Sequence, residues 1–65
     1  MLIVYKLNFY NEEVYLEIET EKRIRYCWTP DFSKATKFNS QEEITEKINK
    51  FGIGAIKNFL VKEIN

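Results

Sequence analysis

The sequence contains no histidine and a single cysteine, Cys27. Without histidine, acid–base or triad chemistry would have to rest on carboxylates or on Cys27, and the usual mixed ligand sets of a structural zinc are excluded. One cysteine permits no disulfide within the chain. Proline occurs once and glycine twice, all where turns are expected, so residues 1–65 read as one small domain with no linker or internal repeat. Charge of one sign is also missing: ten Lys and Arg balance ten Asp and Glu, which leaves no net field to steer the molecule toward nucleic acid or an anionic membrane. The longest apolar run, Met1 to Tyr5, stops at Lys6. A spanning helix needs about 20 apolar residues, so a membrane location is not expected and a cytoplasmic one is, in keeping with an unpaired cysteine.

What the sequence does have is aromatic side chains, 15% of its residues. A domain of this size buries only about 60% of its unfolded surface. With disulfide and zinc excluded, dense aromatic packing and self-association remain to stabilise it, and a homodimer is expected.

The first half alternates at period two. Ile3, Tyr5, Leu7 and Phe9 alternate with Val4, Lys6, Asn8 and Tyr10; Val14, Leu16 and Ile18 alternate with Tyr15, Glu17 and Glu19. A two-residue turn at Asn11-Glu12 pairs Phe9 with Val14, Leu7 with Leu16 and Tyr5 with Ile18, all on one apolar face. A three-residue loop at Thr20-Glu21-Lys22 then pairs Ile18 with Ile24, Leu16 with Tyr26 and Val14 with Trp28. The same arrangement sets Glu17 between Lys6 and Arg25, and Glu19 opposite Arg23, on the solvent face.

Thr29-Pro30-Asp31 ends the sheet, with a short helical turn through Phe32 to Ala35 capped by Thr29, and Phe32 and Phe38 tucking beneath the sheet. Ser40 and Glu43 stand at capping-box spacing and open a helix. Its buried stripe is Ile44, Ile48 and Phe51. Glu43 with Lys47 and Glu46 with Lys50 lie on its solvent side, and Gly52 ends it. Residues 53–64 fit either a helix or a strand, with a fourth strand favoured by Phe59-Leu60-Val61. The expected fold is α+β, a three- or four-stranded antiparallel meander with one principal α-helix packed on one face.

The run Trp28-Thr29-Pro30-Asp31-Phe32-Ser33-Lys34-Ala35-Thr36-Lys37-Phe38, followed by Ser40-Gln41-Glu42-Glu43, resembles small uncharacterised proteins of bacteriophages and prophages. In these a strand ends in an aromatic residue, an Asp and a Lys-Ala pair lead to Phe, and a capped helix follows. The resemblance implies a phage-type source and an α+β fold ending in a strand. It carries no catalytic residues.

The residues themselves offer little chemistry. Arg25 and Thr29 share a strand face with Cys27, but no base stands by to activate the thiol. Glu12-Glu13 suits a solvated turn and Glu42-Glu43 a helix start, while Gly52-Ile53-Gly54 follows a helix instead of opening a phosphate loop. Arg23, Arg25, Lys34 and Lys37 near Tyr26 and Trp28 suggest a nucleic-acid platform, yet the arginines are matched by glutamates and the aromatics face the core. No metal and no cofactor is expected.

The remaining feature is a solvent face carrying Leu2, Val4, Tyr10, Tyr15 and Cys27 among the charges. Tyrosine brings large contact area at small entropy cost, so Tyr10, Tyr15, Arg25 and Lys6 are the candidate partner-binding residues. Leu2 and Val4, on a first strand taken as a sheet edge, are the candidate dimer contacts. The function expected is a small non-enzymatic protein, phage-encoded, that inhibits a host protein such as an anti-phage defence component by direct contact. A nucleic-acid-binding regulator and a sponge for a signalling nucleotide are the alternatives.

Overall fold

The computed structural model describes residues 1–19, 25–51 and 58–64. Four strands, β1 (Leu2–Leu7), β2 (Glu13–Glu19), β3 (Arg25–Thr29) and β4 (Leu60–Glu63), form one antiparallel sheet in the order β3-β2-β1-β4. One helix, α1 (Gln41–Asn49), lies across one face. The α+β fold read from the sequence is therefore the fold observed, and residues 60–63 form the fourth strand.

The β1–β2 register differs from the one expected. Tyr5 stands opposite Tyr15, Lys6 opposite Val14 and Leu7 opposite Glu13. That is a slip of three residues, an odd number, and it turns the faces of β1 over. Val4 joins Leu16, Phe38, Ile44 and Ile48 in the core, with Leu2 packed against it. Leu7 is half exposed and Phe9 is almost wholly in solvent.

The cause lies in the turn. A two-residue hairpin loop of type I′ needs positive φ at both central residues, which Asn11 tolerates and Glu12 does not, and type II′ favours glycine at the first, where Asn11 stands. The chain instead forms a three-residue loop, Phe9-Tyr10-Asn11, with Asn11 at φ 64°. Asn8 closes it by donating its N–H to the Glu12 carbonyl at 2.8 Å and accepting the Asn11 N–H at 2.9 Å.

The β2–β3 register also moves, by two residues, so its faces are kept. Leu16 stands opposite Trp28 and Ile18 opposite Tyr26, both on the helix side, and Glu19 opposite Arg25. Glu17 therefore faces Cys27, not a basic residue. The expected partners Arg23 and Ile24, and the loop at 20–22, lie outside the described residues, as do Gly52 and Ile53-Gly54.

β1 and β2 do not stay together along their length. Past Tyr5 and Tyr15 they part, and the segment 36–38 occupies the opening. Thr36 donates its N–H to the Leu16 carbonyl at 3.0 Å, and its hydroxyl Oγ1 accepts the Ile18 N–H at 2.7 Å. Two residues on, Phe38 exchanges both backbone hydrogen bonds with Leu2, each at 2.8 Å. Ladder groups that the parting would leave unpaired are thus satisfied by this segment. Its alternation suits the position: Phe38 is fully buried between the strands while Lys37 is exposed.

On the helix side, Ser40 caps α1 by accepting the Glu43 N–H at 3.2 Å, and the Glu43 carboxylate reaches back to the Asn39 N–H at 3.1 Å. Glu43 therefore serves the cap, as its spacing from Ser40 predicts. Ile44 and Ile48 are buried and Phe51 meets Tyr26 edge to face at 5.0 Å between ring centroids. The 3-10 turn Phe32–Lys34 is capped by Asp31, whose carboxylate accepts the Ser33 N–H; Thr29, the expected cap, instead accepts the Asp31 N–H. Of the two phenylalanines expected beneath the sheet, Phe38 is fully buried on the helix side and Phe32 stays about half exposed. It packs on the opposite face of the sheet, against Tyr15.

The register predicts which truncations matter. Val4→Ala should lower stability by about 2 kcal/mol or more, whereas Phe9→Ala should change it by less than about 0.5 kcal/mol, measured by urea denaturation. The reverse order would mean that β1 presents its other face to the core.

Candidate interaction surface

The hairpin loop is held more tightly than its length requires. Besides the two backbone bonds that close it, the Asn8 side-chain oxygen accepts the N–H groups of Tyr10 at 2.9 Å and Glu12 at 3.0 Å. One asparagine thus fixes the backbone on both sides of the turn, the local bonding for which Asn is favoured there. On this frame stand Phe9, 98% exposed, and Tyr10, 78% exposed, with their rings edge to face at 5.7 Å. Neither ring contributes to the core. The result is an aromatic pair projecting from a rigid turn at one end of the sheet.

The sheet face opposite α1 continues from this tip. Leu60, Tyr5, Tyr15 and Thr29 lie in one row across the four strands. Lys62 crosses this row, with Nζ 4.5 Å from the centroid of the Tyr5 ring and 5.9 Å from that of Tyr15. It also forms an ion pair with Glu13. Tyr15 donates its hydroxyl to the same carboxylate at 3.3 Å, and the Phe32 ring closes on its other side at 5.3 Å. Ile3 is fully buried on this face, opposite Lys62. Leu7, Phe32 and Leu60 remain about half exposed around the cluster.

The structure does not bring the candidate partner-binding residues together. Tyr10 stands on the tip, and Tyr15 is half-buried in the Lys62 cluster. Arg25 lies at the far end of β3, bound to Glu19 at 2.8 Å. Lys6 is on the helix-side face, its Nζ 4.6 Å above the Trp28 ring. Val4, expected on the solvent face, belongs to the core instead, Leu2 is half-buried against that core on the helix side, and β1 is an interior strand flanked by β2 and β4. Val4, with no exposed surface, offers nothing to a dimer contact. The residue that sequence reasoning missed is Phe9. Its signal was the pair of asparagines, Asn8 and Asn11, bracketing two aromatics: one fits the side-chain bonds of a turn, the other a positive φ.

A shallow recess of about 240 Å³ lies beside Glu17, Glu19, Arg25, Tyr26 and Cys27. Desolvation and the neighbouring Glu17 carboxylate, which accepts from the Cys27 thiol at 3.5 Å, push that thiol above its ordinary value. A thiol held protonated in this way is a poor nucleophile. Among the described residues no group of three or more Cys, Asp or Glu is placed to hold a metal ion, and no helix is long and apolar enough to cross a membrane.

No family model matches this chain, and no curated protein or solved structure matches it at a significant level. Its function must be argued from its own surface.

The Glu13–Lys62 pair has a pH signature. The hydrogen bond from Lys62 holds the Glu13 carboxyl below its ordinary value of 4.5. A carboxyl depressed in the folded state stabilises the fold above its unfolded value, and that contribution is lost as the pH falls through the lower folded value. The Tm difference between the wild type and Glu13→Gln should therefore be present at pH 7 and fade as the pH falls below the ordinary carboxyl value of 4.5. A difference that persisted at low pH would assign the effect to packing and not to charge.

Proposed function

We propose that this protein is a small non-enzymatic binding protein of the bacteriophage type, which blocks a host protein by direct contact and uses the Phe9–Tyr10 tip as its anchor. The observation that carries the reading is the exposure of Phe9, almost complete, and of Tyr10 beside it, on a turn already fixed by Asn8. Large aromatic side chains in central, desolvated positions supply most of the energy of protein interfaces. An anchor ordered before binding loses little conformational entropy when it docks. Burying one such ring contributes about 2–3 kcal/mol, or roughly 30- to 150-fold in affinity.

The resemblance of Trp28–Phe38 and Ser40–Glu43 to small phage and prophage proteins supports the biological part of the proposal. A phage protein of 65 residues, with no histidine and one protonated thiol, has a surface to offer and little chemistry. Its target would then be a host protein, such as a component of an anti-phage defence system.

The test is affinity capture from a host lysate with the wild type and with the Phe9→Ala/Tyr10→Ala variant, each with and without nuclease. A single stoichiometric protein should be captured by the wild type, survive nuclease, and fall at least tenfold with the variant. Added to that purified partner, the wild type should inhibit it. Capture retained by the variant, or abolished by nuclease, would overturn the proposal.

A further inference from the structure

We infer that the protein self-associates through the outer edge of β4, two copies pairing antiparallel about Val61 so that one sheet runs through both. This is independent of the reading of the Phe9–Tyr10 tip. It starts from where the backbone groups of β4 point.

In an antiparallel ladder the N–H and C=O groups of successive residues alternate between the two sides of a strand. Leu2 uses both of its groups on Phe38, on the side of β1 away from β4. Glu63, which stands opposite Leu2, is therefore not bonded to it, and its own N–H and C=O face outward. Val61, two residues back, faces the same way. The next pair along agrees: Ile64 and Met1 exchange both of their groups, at 2.7 and 3.1 Å, so Leu60, Lys62 and Ile64 are the residues that hold β4 to β1. Among the described residues nothing takes up the outward groups of Val61 and Glu63.

Open edges are ordinarily guarded by charge or by proline. The other edge has both: Arg25 begins β3, and Pro30 directly follows its last residue, Thr29. On β4 the described charges are Lys62 and Glu63. Lys62 is drawn off the edge, over the Tyr5 ring and onto Glu13, and Glu63 alone is exposed.

A second copy of the chain fits this edge. Pairing about Val61 sets Val61 opposite the second copy's Val61, Leu60 opposite its Lys62 and Phe59 opposite its Glu63. No like charges meet, and Leu60, about half exposed, is covered by the lysine stem. A register centred on Lys62 would instead set two lysines face to face. Because the chain carries no net formal charge, no long-range repulsion keeps two copies apart. The pairing is two-fold, so two four-stranded sheets become one with both helices on the same side.

The contact is smaller than a standard interface of about 800 Å² per partner, so a dissociation constant on the order of 100 µM is expected. Sedimentation of the full-length protein from about 10 µM to about 1 mM should then show a monomer–dimer equilibrium. Glu63→Ala, which keeps the outward N–H, should dimerise like the wild type. Glu63→Pro removes that N–H and leaves the bonds to β1, and should raise the dissociation constant about tenfold or more, with Tm as the check on folding. Leu60→Lys, facing the second copy's Lys62, should weaken the dimer more than Leu60→Glu. Amide exchange needs no variant: Val61 and Glu63 should exchange quickly in dilute solution and more slowly as concentration rises, while Leu60 and Lys62 stay protected throughout. A monomer at every concentration, a dimer that Glu63→Pro leaves intact, or a dimer lost with Phe9→Ala overturns the inference. Equal effects of Leu60→Lys and Leu60→Glu overturn the register about Val61.

Discussion

Asn8 sets the register of β1 against β2. Its side-chain oxygen takes two backbone N–H groups and its own backbone closes the turn, so the hairpin folds about Phe9-Tyr10-Asn11 and not one step further along. Because strand side chains alternate with a period of two, that choice decides which half of β1 the helix covers. It sends Leu2 and Val4 inward to meet Leu16 and Phe38, and leaves Tyr5 and Leu7 for the other face. The alternative type I′ turn would bury Phe9 but would put Glu12 at positive φ, where a side chain without local hydrogen bonding is strained. Turn geometry outweighs apolar pairing here partly because the other face is not wasted: Ile3 is fully buried there, and Lys62 roofs the tyrosines.

A second constraint follows from the first. Once β1 and β2 are in this register they separate beyond Tyr5 and Tyr15, and the groups exposed by the separation need partners. Thr36 meets the need with one backbone and one side-chain bond, and Phe38 with two backbone bonds. The insertion carries the Phe38 ring to the centre of the core, where Ile44 and Ile48 of α1 close over it. The segment that looks in sequence like a connection between sheet and helix is in effect part of the sheet. A small domain without disulfide or metal gains from this, since a loop residue becomes one of its largest fully buried side chains.

The degree to which the sequence could be read follows from how local each signal is. The helix was legible because Ser40, Glu43, Ile44 and Ile48 carry cap and stripe within one short span. β2 and β3 kept their faces because an error of two residues leaves the alternation unchanged. The face of β1 was not legible from alternation alone: Ile3, Tyr5, Leu7 and Phe9 are more apolar than Leu2, Val4 and Lys6, and only the turn contradicts them. Lys6 deepened the ambiguity. A lysine on a core face looks wrong until its ammonium is seen over the Trp28 ring, a contact between strands far apart in the chain. The insertion of Thr36 and Phe38 between two strands has no sequence signature at all. The candidates taken from β1, Lys6, Leu2 and Val4, accordingly fell on the helix side, and Tyr10 alone stands on the tip.

The place where alternation misleads is itself informative. A sequence folds well when turn chemistry, strand pattern and burial agree, and departures from that agreement concentrate where function imposes its own demand. Here the departure is Phe9, an aromatic side chain that continues the strand pattern yet is held in solvent by the asparagines on either side of it. Polar residues would serve a turn of this type at no loss to the core, so folding gives no reason for either Phe9 or Tyr10 to be aromatic. The edge-to-face contact between them is too small and too exposed to supply one. What the two rings do gain is a fixed orientation, because Asn8 holds the backbone beneath them. That combination, apolar area with no role in the fold on a backbone with little freedom to lose, favours burial against another molecule over any structural reason for the tip.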